Sequence, residues 1–234
     1  MIKPIDFKAE LVRKEKISTK VYSFVYKPLE VEFNFEPGQF VMVKFAGPEK
    51  PETRSYSIAS APGKPEFELC VEVIEGGLGS NYLANVEVGQ TVEFKGPFGM
   101  STLKEDNKND LIMVATGTGI APIKSILEDL ANKKDTRNID VLFGVRFYED
   151  LFYLKELKDL AEKLEGSNIM LTLSKPNDLW TGHTGRVTDH LTHLDISNNP
   201  DIYICGNGNM IKDVRDWALA AGIEKKKIHL EIFN

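Results

Sequence analysis

Cysteine is scarce in this sequence: Cys70 and Cys205 are the two examples among 234 residues. Two thiols cannot build the network of disulfides that stabilises small secreted domains. They also fall short of the four thiolates that hold an iron–sulfur cluster. The sequence therefore excludes a disulfide scaffold, and it excludes an iron–sulfur cluster held by these residues alone.

Long apolar runs and clustered positive charge are missing as well. Runs such as residues 111–115 have the length of a buried strand and are far too short to span a bilayer, and the first six residues contain no apolar signal region. The net charge of −6 and the lack of a basic stripe argue against nucleic-acid binding. These absences predict a cytoplasmic protein, expected to be monomeric, without a membrane or nucleic-acid partner.

Motifs for hydrolysis and for metal binding are also absent. The sequence has neither a Gly-x-Ser-x-Gly elbow nor a His-Glu-x-x-His pattern. His190 and His193 lie three residues apart on a predicted helical turn, but no further ligands at metal-binding spacing accompany them. We therefore expect no metal site.

The first hundred residues contain six short segments rich in β-branched and aromatic residues, which is typical of strands. The six segments are 7–16, 21–26, 39–45, 53–60, 66–74 and 91–95. Turn-forming sequences such as Glu36-Pro37-Gly38 separate them, and no long helical pattern intervenes. This arrangement predicts an N-terminal six-stranded antiparallel β-barrel over residues 1–100.

After a polar linker at residues 104–110, strand-like and helical segments alternate. The five predicted strands are 111–115, 139–143, 169–173, 202–205 and 228–233. The helical segments are 120–132, 150–164, 188–193 and 210–221. Because such alternation gives parallel strands joined by crossover helices, it predicts a doubly wound parallel five-stranded α/β domain over residues 108–234.

The segment Arg54-Ser55-Tyr56-Ser57 lies on the fourth predicted strand. An arginine offers a planar fork of donors to a phosphate, and a tyrosine offers a flat face for stacking. Alternation along the strand places Arg54 and Tyr56 on one face, and Ser57 supplies a small hydroxyl beside them. The segment is suited to a flavin site, although an ordinary strand with one arginine fits the same four residues.

A glycine-rich segment, Gly76-Gly77-Leu78-Gly79-Ser80, follows the fifth predicted strand. Glycine lets backbone N–H groups approach a phosphate, and a helix beginning near Ser80 would direct its positive end to the same place. A glycine-rich hairpin turn is the alternative interpretation of this segment.

A second glycine-rich segment, Gly117-Thr118-Gly119, lies between a predicted buried strand and a helix, where open parallel sheets bind pyrophosphate. Pro122 stands where the common dinucleotide fingerprint has glycine or alanine, which argues against a standard Rossmann dehydrogenase. Proline is well tolerated there because the position belongs to the first helical turn. No Gly-Lys-Ser/Thr follows, so a P-loop is excluded.

In this order the segments resemble the ferredoxin–NADP reductase family, over nearly the whole chain and without a fused iron–sulfur domain. The resemblance implies bound FAD and, as substrate, NADPH or NADH. The residues that match the family's FAD contacts are Arg54, Tyr56, Ser57, Gly77, Leu78 and Ser80. Those that match its nucleotide loop, Gly-x-Gly-x-Ala-Pro, are Gly117, Thr118, Gly119 and Pro122.

The resemblance also implies roles near the C-terminus. Residues 205–210 match the loop that lies under the nicotinamide, with Cys205 beside the transferred hydride. Glu231 matches a charge beside the nicotinamide, and Phe233 matches an aromatic lid over the flavin ring. Further implied nucleotide contacts are Gly206, Asn207 and Met210. The implied catalytic residues are Ser57, Cys205, Glu231 and Phe233.

Charge at the strand ends bears on the choice between NADPH and NADH. The second strand of the α/β half ends Gly144-Val145-Arg146, without the acid that bonds the ribose hydroxyls of NAD. Ser174 and Lys175 lie at the next strand end, and Arg186 follows. Three cations resemble a clamp for a 2′-phosphate, so NADPH is favoured and NADH stays open.

The resemblance implies hydride transfer from NAD(P)H to bound FAD and release of single electrons to a separate carrier such as ferredoxin or flavodoxin. Two alternatives remain open at this point. The chain would be a free-flavin reductase if the flavin is a loosely held substrate. It would be an electron-transfer subunit if it is docked permanently on an oxygenase or dehydrogenase.

Overall fold

The computed structural model describes residues 2–104 and 106–233, with the backbone alone at residues 232 and 233. Within these residues the chain forms two six-stranded sheets, the first antiparallel and the second parallel. Among the helices in these ranges, none combines the length and apolar character needed to cross a membrane.

The first sheet has the strand order β4-β3-β6-β1-β2-β5. Its strands are β1 Ile5–Lys16, β2 Val21–Pro28, β3 Phe40–Ala46, β4 Pro51–Ser57, β5 Phe67–Glu72 and β6 Thr91–Phe98, and helix α1, Leu78–Asn85, precedes β6. An isolated antiparallel bridge between Ile58 and Leu69 joins the two edges of the sheet, so that it curls into a barrel. The predicted six-stranded antiparallel barrel is confirmed.

Aromatic side chains fill the interior of this barrel. Along β6, exposed and buried residues alternate, which places Val92 and Phe94 inside. The Phe94 ring lies 5.5 Å from that of Phe7 and 4.9 Å from that of Tyr26, measured between centroids. Because side chains fill the interior of the barrel, a large ligand would have to lie along its outer edge.

The second sheet has the strand order β10-β9-β8-β7-β11-β12, and every neighbouring pair is parallel. Its strands are β7 Leu111–Thr116, β8 Ile139–Val145, β9 Ser167–Leu173, β10 His183–Thr184, β11 Asp201–Asn207 and β12 Ile228–Phe233. Its helices are α2 Ile120–Asn132, α3 Leu154–Lys163 and α4 Gly208–Ala220, with 3-10 turns at Gly117–Gly119, Tyr148–Asp150, Val187–His193 and Lys225–Lys227.

The parallel sheet corrects the sequence prediction in one respect, because it has six strands rather than five. The additional strand, β10, pairs His183 and Thr184 with Thr172 and Leu173. Both of its residues are exposed, so the strand has no buried face and leaves no apolar signal in the sequence.

The helix predicted at 150–164 is also shorter than expected. A 3-10 turn ends at Asp150, and α3 begins only at Leu154. Tyr153, between them, adopts a left-handed backbone with φ of 58° and cannot continue a right-handed helix.

Helices cover both faces of the parallel sheet, as a doubly wound fold requires. Alternate residues of β7 divide between the two layers. Met113 and Ala115 pack in one core with α2 and α3, whereas Ile112 and Val114 pack in the other with α4. The carboxyl ends of the central strands therefore remain free to face the first sheet.

Candidate functional site

A cleft of about 1540 Å³ lies between the two sheets. One wall comes from β4 and the turn between β5 and α1, and the other from the carboxyl ends of β7, β8, β9 and β11. Open parallel sheets bind ligands at this edge. Fifteen of the residues predicted from the sequence line the cleft: Arg54, Tyr56, Ser57, Gly77, Leu78, Ser80, Gly117, Thr118, Arg146, Ser174, Arg186, Gly206, Asn207, Met210 and Glu231.

Four other predicted residues lie outside the cleft lining. Gly119 and Pro122 are buried where α2 begins, and Cys205 is 3% exposed within its strand. Lys175 is exposed beyond the cleft. The predicted lid, Phe233, involves a side chain outside the described part of the structure.

Strand β4 presents Arg54 and Tyr56 together on the cleft side, as alternation predicts. The Arg54 guanidinium donates to Glu52 Oε2 at 2.9 Å and to the Thr53 carbonyl at 2.7 Å. These bonds hold the arginine beside the strand and leave further donors of its fork for a ligand. Burial raises the pKa of Tyr56 to about 12, so its hydroxyl stays protonated.

The turn before α1 is shaped for an anion. The Asn81 amide donates to the carbonyls of Ile74 at 2.8 Å and Gly77 at 2.6 Å, and Ser80 Oγ accepts from the Ile74 N–H at 3.3 Å. These contacts fix the turn, while the first turn of α1 has no side-chain cap. An uncapped helix N-terminus beside an arginine is an arrangement of donors that fits a pyrophosphate.

Gly79 is the one residue of the Gly-x-Gly segment at 77–79 that was not predicted to be functional. A Cβ at this position would lie 2.6 Å from the Tyr56 hydroxyl oxygen and 2.7 Å from Arg54 Cγ. Glycine is therefore needed for α1 to pack directly against β4. The Gly-x-Gly spacing was the signal in the sequence from which the role of Gly79 could have been predicted. Close approach of a phosphate accounts for only part of the need for glycine in this segment.

In the opposite wall, the loops after β7 and β11 lie in direct contact. A Cβ on Gly119 would overlap the backbone of Cys205, and one on Gly206, whose φ is 135°, would overlap Thr116. The Asn207 N–H donates to Thr116 Oγ1 at 3.2 Å. Gly117 has open space where its Cβ would be, so its backbone faces the cleft.

Ser57 and Glu231 connect the two walls. Ser57 Oγ, at the end of β4, donates to Glu231 Oε1 on β12 at 2.5 Å. Burial raises the pKa of Glu231 to about 6, and the bond from Ser57 opposes that rise. Burial, reinforced by the charge of Glu231, holds the pKa of the Cys205 thiol well above its usual range. The thiol therefore stays protonated while the carboxylate can titrate.

Charges of both signs line the wall of the cleft that the parallel sheet provides. Arg146 and Arg186 are present as predicted, but Glu149 and Asp150 lie beside them in the lining. Asp150 accepts from the N–H of Phe147 at 3.2 Å, which closes the turn after β8. These acids were not predicted because they follow the strand by several residues, and only the residue that directly ends it was considered.

Two family models match consecutive parts of the chain. A model of the oxidoreductase FAD-binding domain matches residues 8–102, and a model of the oxidoreductase NAD-binding domain matches residues 113–216. The first match contains β4 and the turn before α1, and the second contains the loops after β7, β8 and β11.

Curated relatives include electron-transfer proteins of two kinds. The chain is 35% identical over 244 residues to ferredoxin–NADP reductase B of Sorangium cellulosum, and the match covers 100% of both proteins. It is 33% identical over 210 residues to reductase component 1 of terephthalate 1,2-dioxygenase from a Comamonas species. That second match covers 88% of this chain and 61% of the relative.

Solved structures share the fold over almost the whole chain. The FAD/NAD-binding domain of nitric oxide dioxygenase from Vibrio cholerae is 25% identical, with a TM-score of 0.87 and coverage of 97% and 98%. A ferredoxin NADP+ reductase from Neisseria gonorrhoeae, solved with FAD and NADP, is 24% identical, with a TM-score of 0.82 and 99% coverage of both chains.

Proposed function

Because the chain belongs to the ferredoxin–NADP reductase family, we propose that it carries electrons from NADPH through bound FAD to a separate carrier protein, ferredoxin or flavodoxin. The observation that carries this proposal is the 2.5 Å bond between Ser57 and Glu231. It brings the edge of the FAD-binding half and the edge of the NAD-binding half to one point. Transfer between two bound rings requires such a meeting point.

Each wall of the cleft has its own proposed ligand. The proposed FAD contacts are Arg54, Tyr56, Ser57, Gly77, Leu78 and Ser80. The proposed nucleotide contacts on the cleft lining are Gly117, Thr118, Arg146, Ser174, Arg186, Gly206, Asn207 and Met210. When bound, FAD supplies the conversion of a two-electron transfer into single-electron steps, which side chains cannot perform.

Ser57 and Glu231 have proposed catalytic roles between the walls. The Ser57 hydroxyl is held in one orientation by its bond to Glu231 Oε1. Above its pKa of about 6, Glu231 is ionised and places a negative charge where the oxidised, cationic nicotinamide ring is proposed to lie. Cys205, protonated and buried behind the cleft, provides a neutral wall rather than a nucleophile.

A second candidate function is that of a reductase component serving an oxygenase. It is favoured by the 33% identity to the terephthalate dioxygenase reductase, of which the chain spans 61%. Co-purification separates the two candidates. A folded, flavin-containing protein that reduces ferredoxin or flavodoxin on its own supports the first, and activity that appears only with an oxygenase supports the second.

The direct test of the proposed function is an absorbance spectrum of the purified protein, followed by anaerobic titration with NADPH and with NADH. We expect a bound-flavin spectrum that bleaches on addition of NADPH. A colourless protein that reduces added free flavin would instead identify a free-flavin reductase.

The nucleotide preference can be tested on the three predicted cations. We expect Arg146→Ala and Arg186→Ala each to raise the KM for NADPH about tenfold, which is about 1.4 kcal/mol, with little change in kcat. Lys175→Ala is expected to change it less than about twofold, because Lys175 lies outside the cleft lining. An equal rise in the KM for NADH would contradict a clamp for the 2′-phosphate.

We propose a cytoplasmic monomer whose halves divide as residues 1–100 and 108–234. Size-exclusion chromatography tests the monomer, and limited proteolysis of the flavin-loaded protein tests the division.

A further inference from the structure

A buried ammonium group lies between the barrel and helix α2. The side chain of Lys124, on α2, is 3% exposed. Its Nζ donates to the Ala59 carbonyl at 3.0 Å, to Glu68 Oε2 at 3.0 Å and to Glu128 Oε1 at 2.6 Å. All three donors of the ammonium group are therefore used, and two of the three acceptors belong to the first half of the chain.

The two carboxylates around Lys124 make further bonds, two of which cross the same boundary. Glu68, on β5, accepts from Tyr153 Oη at 2.7 Å and from Ser23 Oγ at 2.5 Å. Glu128, on α2, accepts from the backbone N–H of Ala61 at 2.9 Å. Each half of the chain thus donates to a carboxylate of the other, and the ring of Tyr153 lies 4.9 Å from Lys124 Nζ.

Lys124 and Glu68 both stay charged at neutral pH. Burial disfavours the ammonium form, but Glu68 and Glu128 outweigh it and raise the pKa of Lys124. Burial likewise opposes ionisation of Glu68, but Lys124 and the hydroxyls of Ser23 and Tyr153 outweigh it and lower the pKa of Glu68.

Stability is a weak explanation for such a cluster. Taking a lysine and a glutamate out of water costs about as much free energy as their attraction returns, and apolar replacements are often neutral or stabilising. Directional bonds, by contrast, permit one relative placement of the elements that they join. The cluster is therefore better suited to fixing geometry than to holding the fold together.

The elements that it joins are those that carry the two proposed ligands. Lys124 lies one turn beyond the start of α2, and the loop Gly117–Gly119 leads directly into that helix. Glu68 lies on β5, whose following residues Cys70, Val71 and Glu72 line the cleft. A shift of α2 relative to β5 would move the loop Gly117–Gly119, here called the nucleotide loop, relative to the wall of the cleft that carries the proposed FAD contacts, here called the flavin wall.

We propose that Lys124 is a positioning residue, which through Glu68 and Ala59 sets the approach of the nucleotide loop to the flavin wall. This inference rests on the proposed function, because it assigns Lys124 to the reaction between the two ligands. It differs from a contact with either ligand, since Lys124 does not line the cleft.

Stopped-flow reduction of the flavin-loaded protein by NADPH tests the proposal. We expect Lys124→Met to lower the limiting rate of flavin reduction about tenfold or more, since displacements of about 1 Å are costly to such reactions. Nucleotide affinity should change less than about threefold, because the cleft residues are untouched. Lys124→Arg, which keeps the charge and the donors, should restore most of the rate.

Lys133→Met is the matched control. Lys133 comes directly after the last residue of α2. Like Lys124, it pairs with a carboxylate on α2 four residues away, here that of Asp129, but its side chain is 53% exposed and faces solvent. Its removal should leave the rate of flavin reduction within about twofold of the unaltered protein.

Hydrogen exchange provides a readout independent of turnover. In Lys124→Met, but not in Lys133→Met, amides near Ala61 and in α2 should exchange faster.

Should Lys124→Met fail to fold, the variant Glu68→Gln decides the question. A flavin reduction that is about fivefold slower supports the proposal, and a rate within about twofold of the unaltered protein overturns it. Unchanged reduction in a folded Lys124→Met protein also overturns it. Failure of the proposed function looks different, since the unaltered protein would then lack flavin or ignore both nucleotides.

Discussion

Gly79→Val is expected to yield a protein that is purified without flavin and has lost about 100-fold or more of its NADPH-dependent activity. Any Cβ at this position would lie 2.6 Å from the Tyr56 hydroxyl oxygen and 2.7 Å from Arg54 Cγ. Neither side chain can yield without leaving the place from which it is proposed to hold FAD. The helix would otherwise have to move, and its N-terminus would leave the cleft with it.

The measurement is the ratio of flavin to protein absorbance, together with an FAD titration of the purified variant. Asn85→Val is the matched control: it places the same β-branched side chain at the exposed end of the same helix, and it should retain its flavin. Arg54→Ala and Tyr56→Ala, which each remove one contact, should weaken FAD binding about tenfold, less than Gly79→Val does. A Gly79→Val protein with a full complement of FAD would contradict the structural role assigned to this glycine.

The sequence was sufficient to predict the elements that have a buried face. Val92 and Phe94 alternate with exposed residues along β6, and this period of two is a pattern of the amino-acid sequence itself. Strand β10 was missed because both of its residues are exposed. The prediction that a helix begins at residue 150 was wrong, because the left-handed backbone of Tyr153 interrupts it. That conformation depends on the surroundings of Tyr153 and has no pattern in the sequence.

The lining of the cleft was predictable where its residues fall in short motifs. The loops after β7 and β11 come together because parallel strands end at the same edge of the sheet, so a motif at a strand end is already placed. Contacts between distant segments had no such signal. The bond from Ser57 to Glu231 joins residues 174 positions apart, and that from Lys124 to Glu68 joins residues 56 positions apart. Such pairs depend on how the two sheets pack.

Replacing Glu231 with glutamine is expected to make the protein more stable and less active. The pKa of Glu231 is raised from 4.5 to about 6 by burial. Since the folded state binds the proton more tightly, the stability that this group contributes is complete below pH 4.5 and is lost as the pH rises through about 6. At pH 7.5, Glu231→Gln should therefore raise the free energy of unfolding by up to about 2 kcal/mol, and near pH 4.5 the gain should vanish.

The same substitution should lower the rate of flavin reduction by NADPH about 10- to 100-fold at pH 8, because glutamine accepts the Ser57 bond but carries no charge. In the unaltered protein that rate should rise through an inflection near pH 6, and the inflection should be absent from Glu231→Gln.

Glu224→Gln is the control, since Lys226 lowers the pKa of that exposed carboxyl and the inflection near pH 6 should persist in this variant. A persistent inflection in Glu231→Gln would assign the titration to another group. Loss of activity without a gain in stability would mean that Glu231 is less buried than its contacts indicate. If Glu231→Gln is more stable, is less active and has lost the inflection, then the fold keeps this carboxylate at a cost in stability because its charge is needed between the two walls of the cleft.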